Sequence, residues 1–321
     1  MICRRAFLGI LTAGALLASR GSRAQHGKVF RVGLLYLGVQ NPYGDLARES
    51  LRKLGYAEGN NLIIERGFAA PEDLPAAALE LVRKRVDVIW AGASPSVRAA
   101  IAATKQIPIV AVDLETDPIA SGYVSSLARP SGNLTGFFLD LPEFSAKRLE
   151  LLHEALPTIS GVTVLWDPSL DRAPLRTIHA AARALKLRVA VTEVQTAADL
   201  DEVFRVAAGG KGEAVRVMQS PRLDAYKDHI LRLGAKYRLP VVAVFANFAA
   251  SGALLTYGPN IEDMTVRSAA YVDRLLQGAK VGDLPIQRPT KFDLILNAKT
   301  AKSLGLAIEQ SVLVRADEVL R

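Results

Sequence analysis

The sequence predicts an α/β protein built as two doubly wound parallel-sheet lobes. Three observations carry this expectation. From residue 29 onward, short β-rich runs alternate with helical patterns, the rhythm of parallel strands covered by helices. The alternation passes through two successive sets of similar size. The chain of 321 residues also exceeds the roughly 100–150 of a typical single core.

The first set opens with a strand over 29–37, a helix over 45–54, a strand over 61–65 and a helix over 74–85. It continues with a strand over 86–90, a helix over 96–104 and a strand over 107–112, whose unbroken apolar run suits burial on both faces. A helix over 143–156 leads into the second set. That set comprises strands over 161–166, 188–194, 214–218 and 239–245, interleaved with helices over 174–185, 200–207 and 223–237. A run over 252–257, a long helix over 261–277, a proline-rich stretch over 284–289 and a strand over 291–297 follow. This tail is too short for a third core and is expected to return across both lobes.

Residues 1–24 are expected to be an export signal. Arg4-Arg5 precedes Phe7-Leu8, an uncharged run covers 9–19, and Ser22-Arg23-Ala24 fits a small-x-small cleavage site. The paired arginines point to the twin-arginine route. A membrane anchor is the competing reading, but Arg20 and Arg23 interrupt the run before the about 20 apolar residues a spanning helix needs. Cys3 precedes the apolar run rather than following it, which argues against a lipid anchor. The mature protein is therefore expected to be soluble in the periplasm and free of cysteine, without disulfides or thiolate chemistry. The four arginines of the leader supply half of the formal charge of +8, and the remaining basic residues form no stripe of the kind nucleic acid requires.

Ligands of such sheets lie at the carboxyl ends of the strands, so functional residues are expected in the strand-to-helix loops. In the first lobe, Gly92-Ala93-Ser94-Pro95-Ser96 comes close to a nucleophile elbow, but Ser96 stands where that motif requires glycine. Ser94 reads equally as an N-cap with Pro95 in the first helical turn, or as part of a helix-start site for a carboxylate. Aromatic residues are only 6% of the chain, yet Tyr36, Tyr43, Trp166, Phe245 and Phe248 fall at loop mouths, with Tyr257 near a crossing. They either line a cleft or plug the cores of their own lobes. Asp117 and Asp167 are the acids best placed to meet a cationic group, although each precedes proline and suits a turn. His26, His153, His179 and His229 lack ligand spacing, so no metal is expected. Neither a G-x-G-x-x-G nor a G-x-x-x-x-G-K-[ST] motif is present, so no nucleotide cofactor is expected.

The segment Asp117-Pro118-Ile119-Ala120-Ser121-Gly122, with Ser126-Leu127-Ala128-Arg129-Pro130-Ser131-Gly132-Asn133-Leu134-Thr135-Gly136, resembles the ABC transporter substrate-binding proteins of the family with tryptophan- and tyrosine-binding members. Further matching motifs are Arg52-Lys53-Leu54-Gly55-Tyr56, Tyr257-Gly258-Pro259-Asn260, Leu284-Pro285-Ile286-Gln287-Arg288-Pro289-Thr290-Lys291-Phe292 and Arg315-Ala316-Asp317-Glu318. Ser131 departs from the family's usual glycine, a turn adjustment. The resemblance implies a periplasmic-binding-protein type I fold, two lobes joined by a three-segment hinge with a ligand cleft between them. The implied lobes are 25–137 plus 258–287 and 138–257 plus 288–321.

By the same resemblance, Ala93, Ser94 and Ser96 would hold a ligand carboxylate, with Asp117 nearby. In the second lobe Trp166, Asp167, Ser169, Gln219, Ser220, Phe245 and Asn247 would select the ligand's side chain. The expected role is that of a monomeric, non-enzymatic binding component that closes on an aromatic amino acid or related small carboxylate and delivers it to an ABC permease in the inner membrane. The alternatives are an exported serine hydrolase using Ser94 and a receptor subunit that presents its ligand to a sensor protein. A repressor on the same fold is not expected, because the leader stands where a helix-turn-helix would be.

Overall fold

The computed structural model describes residues 28–38, 42–114, 116–139, 142–168 and 172–321. The expected export signal and the candidate Ser169 lie outside the described residues.

Five strands, β1 (Phe30–Leu37), β2 (Leu62–Ala69), β3 (Val88–Gly92), β4 (Ile109–Asp113) and β5 (Leu134–Phe138), form a wholly parallel sheet in the order β2-β1-β3-β4-β5. Side chains alternate across it, as the two-residue period of a strand requires. Val32, Leu34, Tyr36 and Trp90 face one side, where Ala47 and Leu51 of α1 (Pro42–Lys53) meet them. Leu35, Ile89 and Ala111 face the other, against α2 (Leu74–Arg83) and α3 (Ser94–Ala103).

The second sheet has seven strands: β6 (Gly161–Trp166), β7 (Arg188–Glu193), β8 (Glu213–Val217), β9 (Val241–Ala243), β10 (Leu255–Pro259), β11 (Phe292–Asn297) and β12 (Glu318–Leu320). Their order is β12-β11-β10-β9-β8-β6-β7, and only the β10–β11 pair is antiparallel. The helices between them are α4 (Pro142–Ala155), α5 (Ala173–Ala184), α6 (Ala197–Ala207), α7 (Pro221–Ala225), α8 (Lys227–Tyr237) and α9 (Ala246–Ala250). α10 (Ile261–Leu276) leaves this sheet and covers the first one through Ala269, Val272 and Leu275. The chain then returns to β11, α11 (Ala298–Leu304), α12 (Gln310–Arg315) and β12.

The chain thus passes between the sheets three times: after β5, between β10 and α10, and ahead of β11. These segments are cross-linked. Gln287 N donates to Gly136 O at 2.9 Å and Phe138 N to Gln287 O at 3.0 Å. Asn260 accepts from Asp263 N at 2.7 Å, capping α10, while its amide donates to Asp293 at 2.9 Å. A small apolar cluster of Leu114, Phe137, Leu139, Val244, Phe245 and Met264 bridges the two halves. At Gly136 the backbone has φ +130°, and a Cβ would lie 2.1 Å from Ala111 O, so only glycine fits beside β4.

The structure departs from the sequence reading in particular places. β5 is an additional strand, inside the segment that carries the family motif. The helix expected over 223–237 is broken at Tyr226 into α7 and α8. The strand expected over 239–245 shortens to Val241–Ala243, because Pro240 has no N–H to donate and Val244 and Phe245 turn into the bridging cluster. Residues 246–250, read as loop, form α9, and α11, α12 and β12 extend the tail. Among the described residues no helix is long and apolar enough to cross a membrane.

Candidate functional site

The loop from β3 into α3 is the most strained stretch of the first lobe's strand ends. Ala93 adopts φ 69°, ψ 150°, a conformation that L residues with a Cβ rarely hold and that costs on the order of 1–3 kcal/mol. Its N–H is fixed to Val112 O at 2.9 Å and its carbonyl accepts from Val97 N at 3.1 Å. The strain turns the chain directly from strand into helix. Ala93 is therefore the N-cap of α3, and Ser94 and Pro95 fill the first helical turn two residues earlier than expected. Ser94 is accordingly not an N-cap: no side chain caps this helix.

Released from capping, Ser94 bonds elsewhere. It is 2% exposed, with Oγ 3.0 Å from Thr116 Oγ1, and it accepts from Arg98 one turn along α3. Neither partner is a general base, since a hydroxyl is weakly basic and a guanidinium keeps its proton. Ser96 is fully buried and its Oγ has no partner. The first-turn N–H groups of α3 have no intrahelical acceptor, so this end of the helix joins backbone donors with buried hydroxyls. Tyr123 stands close by, its phenol pushed up by burial, with Arg98 opposing and Asp113 adding to the shift.

Tyr36 is packed within the first-lobe core, edge-on to Phe68 at 5.8 Å, and its ring fills the space beside Gly92 where a Cβ would stand. Burial pushes its phenol far up. Tyr43, in the first turn of α1, is half-buried, and its phenol is pushed up to about 12 by burial and by the negative charge of Asp224. Asp224 belongs to α7, so α1 of one half approaches α7 of the other. Asp117 is exposed and accepts from Ile119 N at 2.8 Å and Ala120 N at 3.1 Å, the turn-forming role.

At the second sheet's strand ends, Asp167 is 2% exposed and lies 3.7 Å from Arg222. Ser220 is fully buried and caps α7 by accepting from Leu223 N at 3.0 Å. Gln219 Oε1 is buried with no partner. Trp166 is 1% exposed within the second core, and its Nε1 has no partner. Phe245 belongs to the bridging cluster, whereas Asn247 is exposed on α9. Tyr257 stacks on Phe292 at 5.8 Å, and both meet Phe144.

The structure thus places Ala93, Ser94 and Ser96 at the start of α3 and adds Arg98, Thr116, Tyr123, Arg222 and Asp224, which the sequence reading missed. Arg98 reaches Ser94 by helical spacing, whereas Thr116 and Arg222 lie far from Ser94 and Asp167 in sequence and are brought to them by the parallel sheets. Among the described residues no group of three or more His, Cys, Asp or Glu side chains is placed to hold a metal ion.

The family described as ABC transporter substrate binding protein matches residues 45–320. The chain belongs to that family. A curated relative, the tyrosine-binding protein of Clostridioides difficile strain R20291, is 25% identical over 95% of this chain and 90% of its own. A crystal structure of a conserved domain protein from Vibrio cholerae superposes with a TM-score of 0.80 at 25% identity, covering 91% of this chain and 100% of that one. An L-Trp complex from Streptococcus pneumoniae has the same TM-score at 22% identity, covering 91% and 99%. This substrate-binding protein therefore shares their two-lobed α/β fold.

Proposed function

We propose that this substrate-binding protein binds an aromatic amino acid or related small carboxylate between its two lobes and delivers it to an ABC permease in the inner membrane. The lobes are 25–137 plus 258–287 and 138–257 plus 288–321, with the three cross-linked segments as the hinge. The observation that carries the reading is the β3–α3 turn. A strained Ala93 sets a helix start at this strand end, with the buried, unpartnered Ser96 hydroxyl and the Ser94–Arg98 pair in its first turns and Thr116 bonded to Ser94. Such donors suit a carboxylate. Asp167, Arg222 and Gln219 of the second lobe supply polar groups for the rest of the ligand. The tyrosine-binding relative and the L-Trp complex support an aromatic ligand.

Binding then works as a population shift. Contacts from both lobes to one ligand exist only when the lobes are together, so ligand favours the closed arrangement by its differential affinity for it. The exported, periplasmic, monomeric and non-catalytic character belongs to the same proposal. A thermal-shift panel of amino acids and aromatic acids tests it. Tyrosine, tryptophan or a close relative should raise Tm in a concentration-dependent way. A flat response across the panel would remove the ligand assignment.

A further inference from the structure

The second lobe also contains two buried arginines outside the strand-end loops. Arg148 on α4 is 2% exposed and Arg216, the penultimate residue of β8, is 1% exposed. Arg216 Nη1 donates to Ser145 O at 2.8 Å, which ties it to the first turns of α4. Beyond that bond, Arg216 Nε, Arg148 Nε, Arg148 Nη1 and Ser145 Oγ are all buried with no hydrogen-bond partner. No carboxylate among the described residues forms an ion pair with either guanidinium.

Register locates the pair. Arg216 lies opposite Val164 and Val242, and Val242 opposite Leu255, so Trp166 and Tyr257, two residues further along their strands, share its face. That face is covered by α4, whose Phe144 meets Tyr257 and Phe292. The unpartnered Trp166 Nε1 adds a further donor to this face.

The buried Arg148 charge acts against that of Arg216, and arginine does not relieve the repulsion by losing its proton. Burial pushes Arg148 down to about 10, and burial together with the Arg148 charge pushes Arg216 well down, so the surroundings as they stand disfavour both charges. A buried donor without an acceptor is costly, and here several converge with a surplus of positive charge.

We propose that a small inorganic anion of the halide class resides between Arg148, Arg216 and Ser145. One such ion accepts from both guanidiniums and the hydroxyl and supplies the missing negative charge. Neighbouring Leu149, Leu152 and Val164 are 0–1% exposed members of the packed core, so a monatomic ion fits where a phosphate ester would not. The site lies beneath the strand ends and is separate from the ligand position proposed above.

The test compares thermal unfolding of the ligand-free mature protein in sodium chloride and sodium gluconate at equal ionic strength. Wild type should gain Tm progressively with chloride, and bromide should substitute. Arg216→Leu should lose this halide dependence and melt no lower than wild type in gluconate. Bromide-soaked wild-type crystals should show an anomalous peak in contact with both guanidiniums, a readout that does not depend on a variant folding. Equal melting in chloride and gluconate, an unchanged halide response in Arg216→Leu, or bromide-soaked crystals with only water between the arginines would each overturn the proposal.

Discussion

The strand ends of the two lobes solve the same placement problem with different chemistry. In the first lobe the polar groups are short and fixed by backbone geometry: a strained Ala93, the hydroxyls of Ser94, Ser96 and Thr116, and the start of α3. In the second they are side chains on separate elements: Asp167 against Arg222, Gln219, and Asp224, whose charge reaches Tyr43 of α1. Under the proposed function the contrast is a division of labour. A rigid backbone site suits a group shared by many ligands, such as a carboxylate, whereas side-chain contacts on several loops are free to select what differs between them.

The largest test of the contrast concerns Trp166, which sequence alone assigned to either cleft or core. Its burial in the second core predicts that Trp166→Ala destabilises by about 3–5 kcal/mol in chemical denaturation. A loss of affinity with stability unchanged would move it to the cleft and make the second lobe's site more aromatic than described. Next come two serines that look alike in sequence. Ser220→Ala should cost about 1 kcal/mol of stability, because Ser220 caps α7. Ser94→Ala should instead weaken ligand binding by about 0.5–1.5 kcal/mol in calorimetry, on top of the stability lost with its bonds to Thr116 and Arg98, because Ser94 caps nothing and stands at the helix start. If the two variants behave alike, the lobes do not divide the work in this way.

Ala93→Gly probes the stored strain. Glycine accepts φ 69°, ψ 150° without a Cβ penalty, so the variant should gain up to about 1 kcal/mol of stability. A destabilised Ala93→Gly would show that the turn is held by something other than the strained backbone. A further test is in pH. Burial raises the Asp224 carboxyl to about 7, with Lys227 opposing. Its unfolded value is about 3.9, so between these limits the folded protein binds more protons than the unfolded chain. Stability from this group is therefore full at acid pH, falls as pH rises from about 4 to 7, and is then constant. Asp224→Asn should remove that slope in Tm against pH. An unchanged slope would assign it to other carboxyls.

The fold was largely legible because apolar runs of strand length alternate with helical periods, and strands such as Ile109–Asp113 and Gly161–Trp166 are buried along nearly their whole length. Less legible were elements whose form depends on the neighbouring lobe. β5 is a strand only because Gly136 allows it against Ala111, and β11 runs antiparallel because the chain reaches it from α10 on the other lobe. At the candidate site, the strand-end rule pointed to the β3–α3 turn, but the usual preference of serine for the N-cap misled at Ser94, where a strained alanine takes that place. Thr116, Arg222 and Asp224 carry no local motif. The partnerships Ser94–Thr116 and Asp167–Arg222 arise from the register of the sheets and leave no periodic trace in the chain. The buried arginine pair is equally silent, since each residue alone reads as an ordinary surface charge.

The central claim, a small ligand held between the lobes, is tested most directly by native mass spectrometry of the mature protein purified gently from its own compartment, before and after adding the best compound of the thermal-shift panel. The account predicts one adduct per chain with the mass of an aromatic amino acid or small carboxylic acid, weakened in Ser94→Ala and retained in Ser220→Ala. A clean apo mass under both conditions, with no compound binding at millimolar concentration, would contradict it.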